Sequence, residues 1–288
     1  MKKTLLIVLL LAGCGDPLTP PWLIDKPRVL GARVEAMGEP ARAWLRPGEA
    51  ADVKWIVAAP DGAPAMRWAF ALCLPDTAGG CAMPLQTMSG DGAPDVAFTM
   101  PPAEALGTAT QLVLAGVFCA GGAPVLAMGA PTCEGMAVPT LVTLPVLLDR
   151  GPDTNHSPSL AAAALTVDGQ PWPAGDGCTL TVPADGKEHP IAMTLGGQRE
   201  TYQSTANAEM VPKATRETIQ LSHFTTSGKL ERQISFLDDD KDPSDVSVKW
   251  TPPAATALPT GGLVRFIFVA RDLRGGLDWQ TRSLCVTP

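Results

Sequence analysis

Apolar residues recur at every second position through much of this chain, and glycine or proline closes almost every such run. In ADVKWIVAA, residues 51–59, Val53, Trp55 and Val57 fall on one side. In MRWAFALC, residues 66–73, Met66, Trp68, Phe70 and Leu72 do the same. Side chains alternate across a strand, so a period of two predicts strands that bury one face. TQLVLAGVFC, residues 110–119, is apolar almost throughout and predicts a strand covered on both sides. LVTLPVLL, residues 141–148, ends this first group, and a second group holds HPIAMTL, ERQISF, VSVKW and LVRFIFVARD. In the last of these Val264, Phe266 and Phe268 face one way, while Arg265, Ile267 and Val269 face the other. Tryptophans within such runs are expected in cores.

Short alternating runs divided by turn residues predict an all-β fold of the sandwich or barrel kind. The 28 glycines and 29 prolines among 288 residues stay below the range of a low-complexity disordered chain. Length favours two domains, expected over 28–148 and 159–288. The polar stretch DRGPDTNHSPSL, with a proline near each end, predicts a linker over 149–158. Asn155-His156-Ser157 also matches a glycosylation acceptor. Residues 205–233 are more polar and leave two readings open, a short helix broken at Pro212 or a long loop across the second sandwich.

The first residues change the picture. Lys2 and Lys3 precede an uncharged run from Thr4 to Gly13, the layout of an export signal over 1–13. The run is about half the 20 apolar residues that a membrane-spanning helix needs. Pro17, Pro20 and Pro21 prevent a helical extension. Leu11-Ala12-Gly13-Cys14 resembles the bacterial lipobox. That resemblance implies a diacylglyceryl group on the Cys14 thiol, cleavage before Cys14, and a protein held in a bilayer by its acyl chains. In lipoproteins of enteric bacteria an Asp directly after the cysteine favours inner-membrane retention; here Gly15 stands there and Asp16 comes one place later, so the resemblance favours the outer membrane. Residues 14–27 are then the lipidated cysteine and a proline-rich tether, about 40 Å long if extended.

Cysteine parity agrees with an exported chain. Of seven cysteines, assigning Cys14 to lipid leaves six: Cys73, Cys81, Cys119, Cys133, Cys178 and Cys285. An oxidising compartment is the usual home of paired cysteines. We expect sequential pairs, Cys73–Cys81, Cys119–Cys133 and Cys178–Cys285, because the first two flank loops that need a staple. The rival pairs Cys73 with Cys119 across the first domain. Without Lys2 and Lys3, 20 basic residues face 29 acidic ones, a formal charge of −9. That balance argues against nucleic acid, whose phosphates call for lysine and arginine.

Catalytic patterns are sparse. Asp238, Asp240 and Asp242 alternate like the start of a calcium loop, but Pro243 takes the place of the turn glycine and Lys249 that of the bidentate glutamate. These aspartates are weak metal candidates; no cofactor is expected. His156, His189 and His223 stand without a nucleophile elbow, an HExxH or a phosphate loop. No catalytic residue is named.

The segment VARDLRGGLDW, residues 269–279, reads as strand, turn and strand, with Gly275 and Gly276 free to adopt turn conformations. It is similar to the last hairpin of PKD-, cadherin- and fibronectin-like bacterial modules. RVLGARVEA and LRPGEAADVKWIVAAPDG resemble their opening strands. The resemblance implies two tandem immunoglobulin-like β-sandwich domains and no particular activity. The expected role is a non-catalytic envelope lipoprotein that binds an envelope protein or polysaccharide through loops or strand edges. The alternatives are a hydrolase of glycans or peptides, and an accessory subunit of an outer-membrane, secretion or motility complex.

Overall fold

The computed structural model describes residues 19–288 apart from 63, 93, 127–130, 136–137, 152–153, 162, 196–198, 205–210 and 239–244. The first strands are β1 (Arg28–Ala36), β2 (Ala50–Ala58), β3 (Met66–Pro75), β4 (Cys81–Gly92) and β5 (Asp95–Thr99). After one helical turn, Ala103–Leu106, come β6 (Gln111–Cys119), β7 (Pro124–Val125), β8 (Thr132–Cys133) and β9 (Thr140–Leu147). Next are β10 (Ala164–Val167), β11 (Gln170–Pro171), β12 (Thr181–Pro183), β13 (His189–Thr194), β14 (Thr201–Ser204) and β15 (Lys213–Arg216). The last are β16 (Ile219–Thr225), β17 (Lys229–Leu230), β18 (Ile234–Leu237), β19 (Asp245–Thr251), β20 (Leu263–Arg271) and β21 (Leu277–Thr287). The fold is all-β. No helix among the described residues is long and apolar enough to cross a membrane.

Two sheet pairs enclose two cores. In the first, the three strands β1-β2-β5 face the four strands β4-β3-β6-β9. Val53 and Trp55 from one sheet meet Trp68, Phe70, Leu114 and Phe118 from the other, as the period of two predicts. Trp55 stacks on Phe70 at 5.2 Å, and Phe118 sets its edge against both rings at 5.4 and 5.3 Å. In the second pair, β11-β10-β13-β19-β17 faces β12-β21-β20-β16-β18, with β12 parallel to β21. Ile191, Val248 and Trp250 pack there against Leu221, Phe266, Phe268 and Leu284.

Pairing overrides local character in residues 211–233. They form β15, β16 and β17 rather than a helix; residues 205–210 lie outside the described set. β16 lies between β18 and β20, where Leu221 and His223 are buried on one face and Phe224 on the other. A strand covered on both sides tolerates polar residues once neighbours supply their bonds, so polarity is a poor guide here.

The tether and the linker are packed where described. Leu23 bridges Thr225 in parallel; Ile24 N donates to Thr225 O at 2.8 Å and Thr225 N to Trp22 O at 3.0 Å. Ile24 is wholly buried, and Trp22 packs on the second core. In the linker, Ala43 N donates to Asn155 O and Ser157 N to Ala41 O, at 2.9 and 2.7 Å. Polar composition suggests a solvated connection, yet these backbone groups of Asn155 and Ser157 bond to the segment that follows β1.

A third apolar cluster joins the two pairs. The outward face of β1 and β2, with Leu30, Ile56 and Ala58, meets Phe224, Ile267, Val269 and Leu277 from the outward face of β16, β20 and β21. Ile267 and Val269 are the residues whose alternation turns them away from the second core.

Candidate functional site

Cysteines first. Cys73–Cys81 closes the β3–β4 hairpin, Cys119–Cys133 ties β6 to the small β7–β8 hairpin, and Cys178–Cys285 holds the residues before β12 to β21. The rival Cys73–Cys119 bridge is ruled out by register: Cys73 lies opposite Val113 and Cys119 opposite Arg67, at far ends of paired strands. Six residues of strand separate them, about 20 Å, whereas a disulfide needs Cα atoms within about 7 Å. Cys14 lies outside the described residues.

Asp240 and Asp242 lie outside the described residues, and the Asp238 carbonyl accepts a bond from Arg199 Nη1. No group of three potential metal ligands exists among the described residues. Each histidine has a partner: His156 Nδ1 meets Glu200 Oε1 at 2.5 Å, His189 Nδ1 meets Asp168 Oδ2 at 2.7 Å, and His223 Nε2 meets Ser235 Oγ at 3.0 Å. Burial pushes the His223 pKa down to about 4, so it is neutral at pH 7. Asn155 is wholly buried with its amide nitrogen bonded to Asp272, so no glycan can reach it in the folded chain.

The richest concentration of polar chemistry lies along the seam, around the β20–β21 turn. Asp272 organises that turn: its Oδ1 accepts the N–H groups of Arg274 and Gly276 at 2.7 and 2.8 Å, and its Oδ2 accepts Asn155 Nδ2 at 2.7 Å. Gly275 takes φ +103°, which disfavours any side chain. The turn projects Arg274 between two rings, with its guanidinium 4.1 Å from the Tyr202 centroid and 5.1 Å from that of Trp44. Trp44 Nε1 donates to Arg274 O at 2.7 Å, and Arg274 Nη1 meets Glu200 Oε2 at 3.2 Å.

Behind Arg274 stand three carboxylates. Glu200 is shared by Arg274 and His156; Asp272 and Glu217 are buried. Burial, reinforced by the Asp272 and Glu200 charges, pushes Glu217 up to about 7. Burial also raises Asp272, against the bonds that it accepts. Glu217 Oε1 accepts the Glu200 N–H at 3.0 Å, while its Oε2 has no partner.

In front of Arg274 opens a groove of about 530 Å³, lined by Trp44, Gln111, Pro145, Leu147, Tyr202, Gln203, Ser204, Leu273, Arg274 and Gly275. Leu273, at φ +62°, is 60% exposed at its rim. The lining mixes aromatic and aliphatic surface with amide, hydroxyl and guanidinium groups. It contains no carboxylate, histidine or cysteine. Such a surface can bind a ligand through rings, amides and the guanidinium; its Tyr202 and Ser204 hydroxyls can both donate and accept a hydrogen bond.

A second polar knot sits on the other side of the seam. Arg33 donates to Glu35 Oε1 at 2.6 Å and to Asp278 Oδ1, lies 5.0 Å from the Trp279 ring, and shares Glu35 with Lys54. Asp278 Oδ2 accepts the Leu160 N–H at 2.7 Å. Glu35 and Asp278 are both buried.

Sequence reasoning singled out the turn glycines, but not Trp44, Tyr202, Glu200, Glu217 or Arg274 as partners. The available signal was local: Asp272-Leu273-Arg274-Gly275-Gly276 is an Asx-turn pattern, in which the carboxylate accepts the backbone N–H two residues on.

No family model matches the chain, and no curated protein does. Among solved structures, red sea bream transglutaminase is similar over 92% of this chain and 32% of its own, at 7% identity and a TM-score of 0.28. The chain thus spans about a third of that enzyme's length. A likeness of that size says nothing of activity here.

Proposed function

We propose that this chain is a non-catalytic lipoprotein of a bacterial envelope, with the outer membrane favoured over the inner. Acylated Cys14 anchors it, and it binds an envelope protein or polysaccharide in the Trp44–Arg274–Tyr202 groove. Its domains, 28–148 and 159–288, are immunoglobulin-like. Support for that architecture is the three-on-four strand order of the first pair, and the parallel β12–β21 edge of the second.

The observation that carries the binding reading is the division of labour around Arg274. The carboxylates and the histidine nearest Arg274 are paired with one another or buried. The open side offers rings, aliphatic surface and hydrogen-bond donors. Aromatic and arginine side chains of this kind dominate the energetics of partner binding.

A photo-crosslinking residue at Leu273 in the full-length protein, expressed in a bacterial envelope, tests the reading. One discrete adduct is expected, lost when Arg274→Ala is added. Turnover of envelope glycans or peptides by the purified protein would refute the non-catalytic role. The intact mass of the amino-terminal peptide checks the anchor: diacylglyceryl mass on Cys14 is expected, and a free thiol refutes it.

A further inference from the structure

We propose that Ile234 and Phe236, on the edge strand β18, form a second membrane contact that seats the protein flat against the bilayer holding its anchor. The inference rests on lipidation of Cys14. Its geometry comes from where the amino-terminal segment leaves the fold.

Ile234 is 39% exposed and Phe236 47% exposed. They sit two residues apart on the last strand of the β12-β21-β20-β16-β18 sheet, opposite Ser222 and Gln220, so they share one face. The residue after Phe236, Leu237, points to the other face and is in the second core. β18 thus turns its buried side to the core and an apolar, uncovered side outward. Exposed apolar residues at an unpaired edge invite a partner.

Chain length points to lipid as that partner. Pro21 O accepts Gln233 Nε2 at 3.4 Å and Arg28 Nη1 at 2.9 Å, so the amino-terminal segment emerges beside the residue that precedes Ile234. The β-bridge of Leu23 to Thr225 and the burial of Ile24 fix it there. Thr19, the first described residue, is only five residues from Cys14. At no more than about 3.6 Å per residue, the acylated cysteine lies within about 18 Å of Thr19. Phe236 is three residues along a strand from Gln233, about 10 Å. The segment that carries the anchor is therefore fixed beside the apolar edge, and its short reach limits how far the acyl chains can stray from that edge. An anchor on so short a leash keeps that edge at the interface, where apolar side chains enter the headgroup region favourably.

The test uses full-length lipidated protein in vesicles of phosphatidylethanolamine and phosphatidylglycerol. Phe236→Cys and Ile234→Cys each carry an environment-sensitive fluorophore. Met83→Cys, at an exposed position on β4 in the other sheet pair, serves as the control. Nitroxide-labelled lipids are then added. If the protein floats with the vesicles and lipid nitroxides quench the labels at 234 and 236 but spare the one at 83, the contact is established. Flotation with no quenching at 234 and 236 overturns the contact and leaves the anchor standing. Failure to float overturns the anchor and this inference together. Concentration-dependent self-quenching at 236 without lipid quenching assigns the edge to a second copy of the chain, and also overturns it.

Discussion

Asn155 Nδ2 donates to Asp272 Oδ2 across 2.7 Å, and neither side chain reaches solvent. One belongs to the segment between the two cores, the other to the turn of the final hairpin. A polar stretch with the composition of a free linker is thereby stitched to the strand pair that follows it. The same turn presents Arg274 to the groove, so the joint and the candidate site share one scaffold.

Asn155→Ala removes a donor and leaves a buried carboxylate one bond short. The expected loss is about 2–3 kcal/mol in urea unfolding. Asn155→Asp puts a second acid against Asp272 and should cost more at pH 8 than at pH 5. An unchanged midpoint for the alanine variant would show that the bond is dispensable.

Arg33→Ala leaves Glu35 without its guanidinium and Asp278 without its counter-charge. Glu35 keeps Lys54, so the stranded charge is Asp278, and breaking a buried pair in this way costs about 3–5 kcal/mol. Because Asp278 lies in the second sheet pair and Arg33 in the first, the loss falls on the seam. Calorimetry should resolve two melting transitions where the parent melts in one; a single transition shifted downward would place the cost inside one core instead.

Stability should respond to pH through two groups of opposite sign. Glu217 titrates at about 7 in the fold against an ordinary 4.5. Between those values the folded chain keeps a proton that the unfolded chain has released, so stability falls as pH rises through the window, by about 3 kcal/mol. Glu217→Gln should abolish that slope and gain stability at pH 8 while changing little at pH 5. His223 does the reverse: its pKa of about 4 lies below the ordinary 6.5, so the unfolded chain takes up the proton first. Stability is lost as pH falls from about 6.5 to about 4, and His223→Gln should flatten that limb. Urea midpoints taken from pH 4 to pH 8.5 read both; parallel curves for parent and variants would reject the assignments.

Disulfide removal should rank by loop length. Cys178–Cys285 closes 107 residues and Cys73–Cys81 only eight. Chain entropy puts their contributions at about 4.8 and about 2.5 kcal/mol. Paired serine substitutions, compared by urea unfolding, should show the larger loss at 178 and 285. Equal losses would mean that local packing, not the unfolded chain, sets both.

Strand positions were legible because the signal is local. Val53, Trp55 and Val57, or Val264, Phe266 and Phe268, declare their shared face through a period of two that no distant residue can alter. The staples were legible for a similar reason: Cys73–Cys81 and Cys119–Cys133 span single turns or loops. Residues 211–225 were harder. Their polarity suits a loop, and only the neighbours β18 and β20 make His223 and Phe224 interior.

Local alternation tells that a strand has two sides, and which of them is the more apolar. It cannot tell what covers the second side. Ile56 and Ile267 are separated by some two hundred residues, yet they meet at the seam because each sheet had an apolar outer face to remove from water. Trp44, Tyr202 and Arg274 come together as a consequence of that meeting. Burial of Asp272 and Glu217, which raises both pKa values, likewise depends on partners distant in the chain, Asn155 for one and Glu200 for the other. Periodicity and turn chemistry therefore wrote the strands into the chain, whereas the groove and its charges exist only where two distant surfaces are pressed into contact.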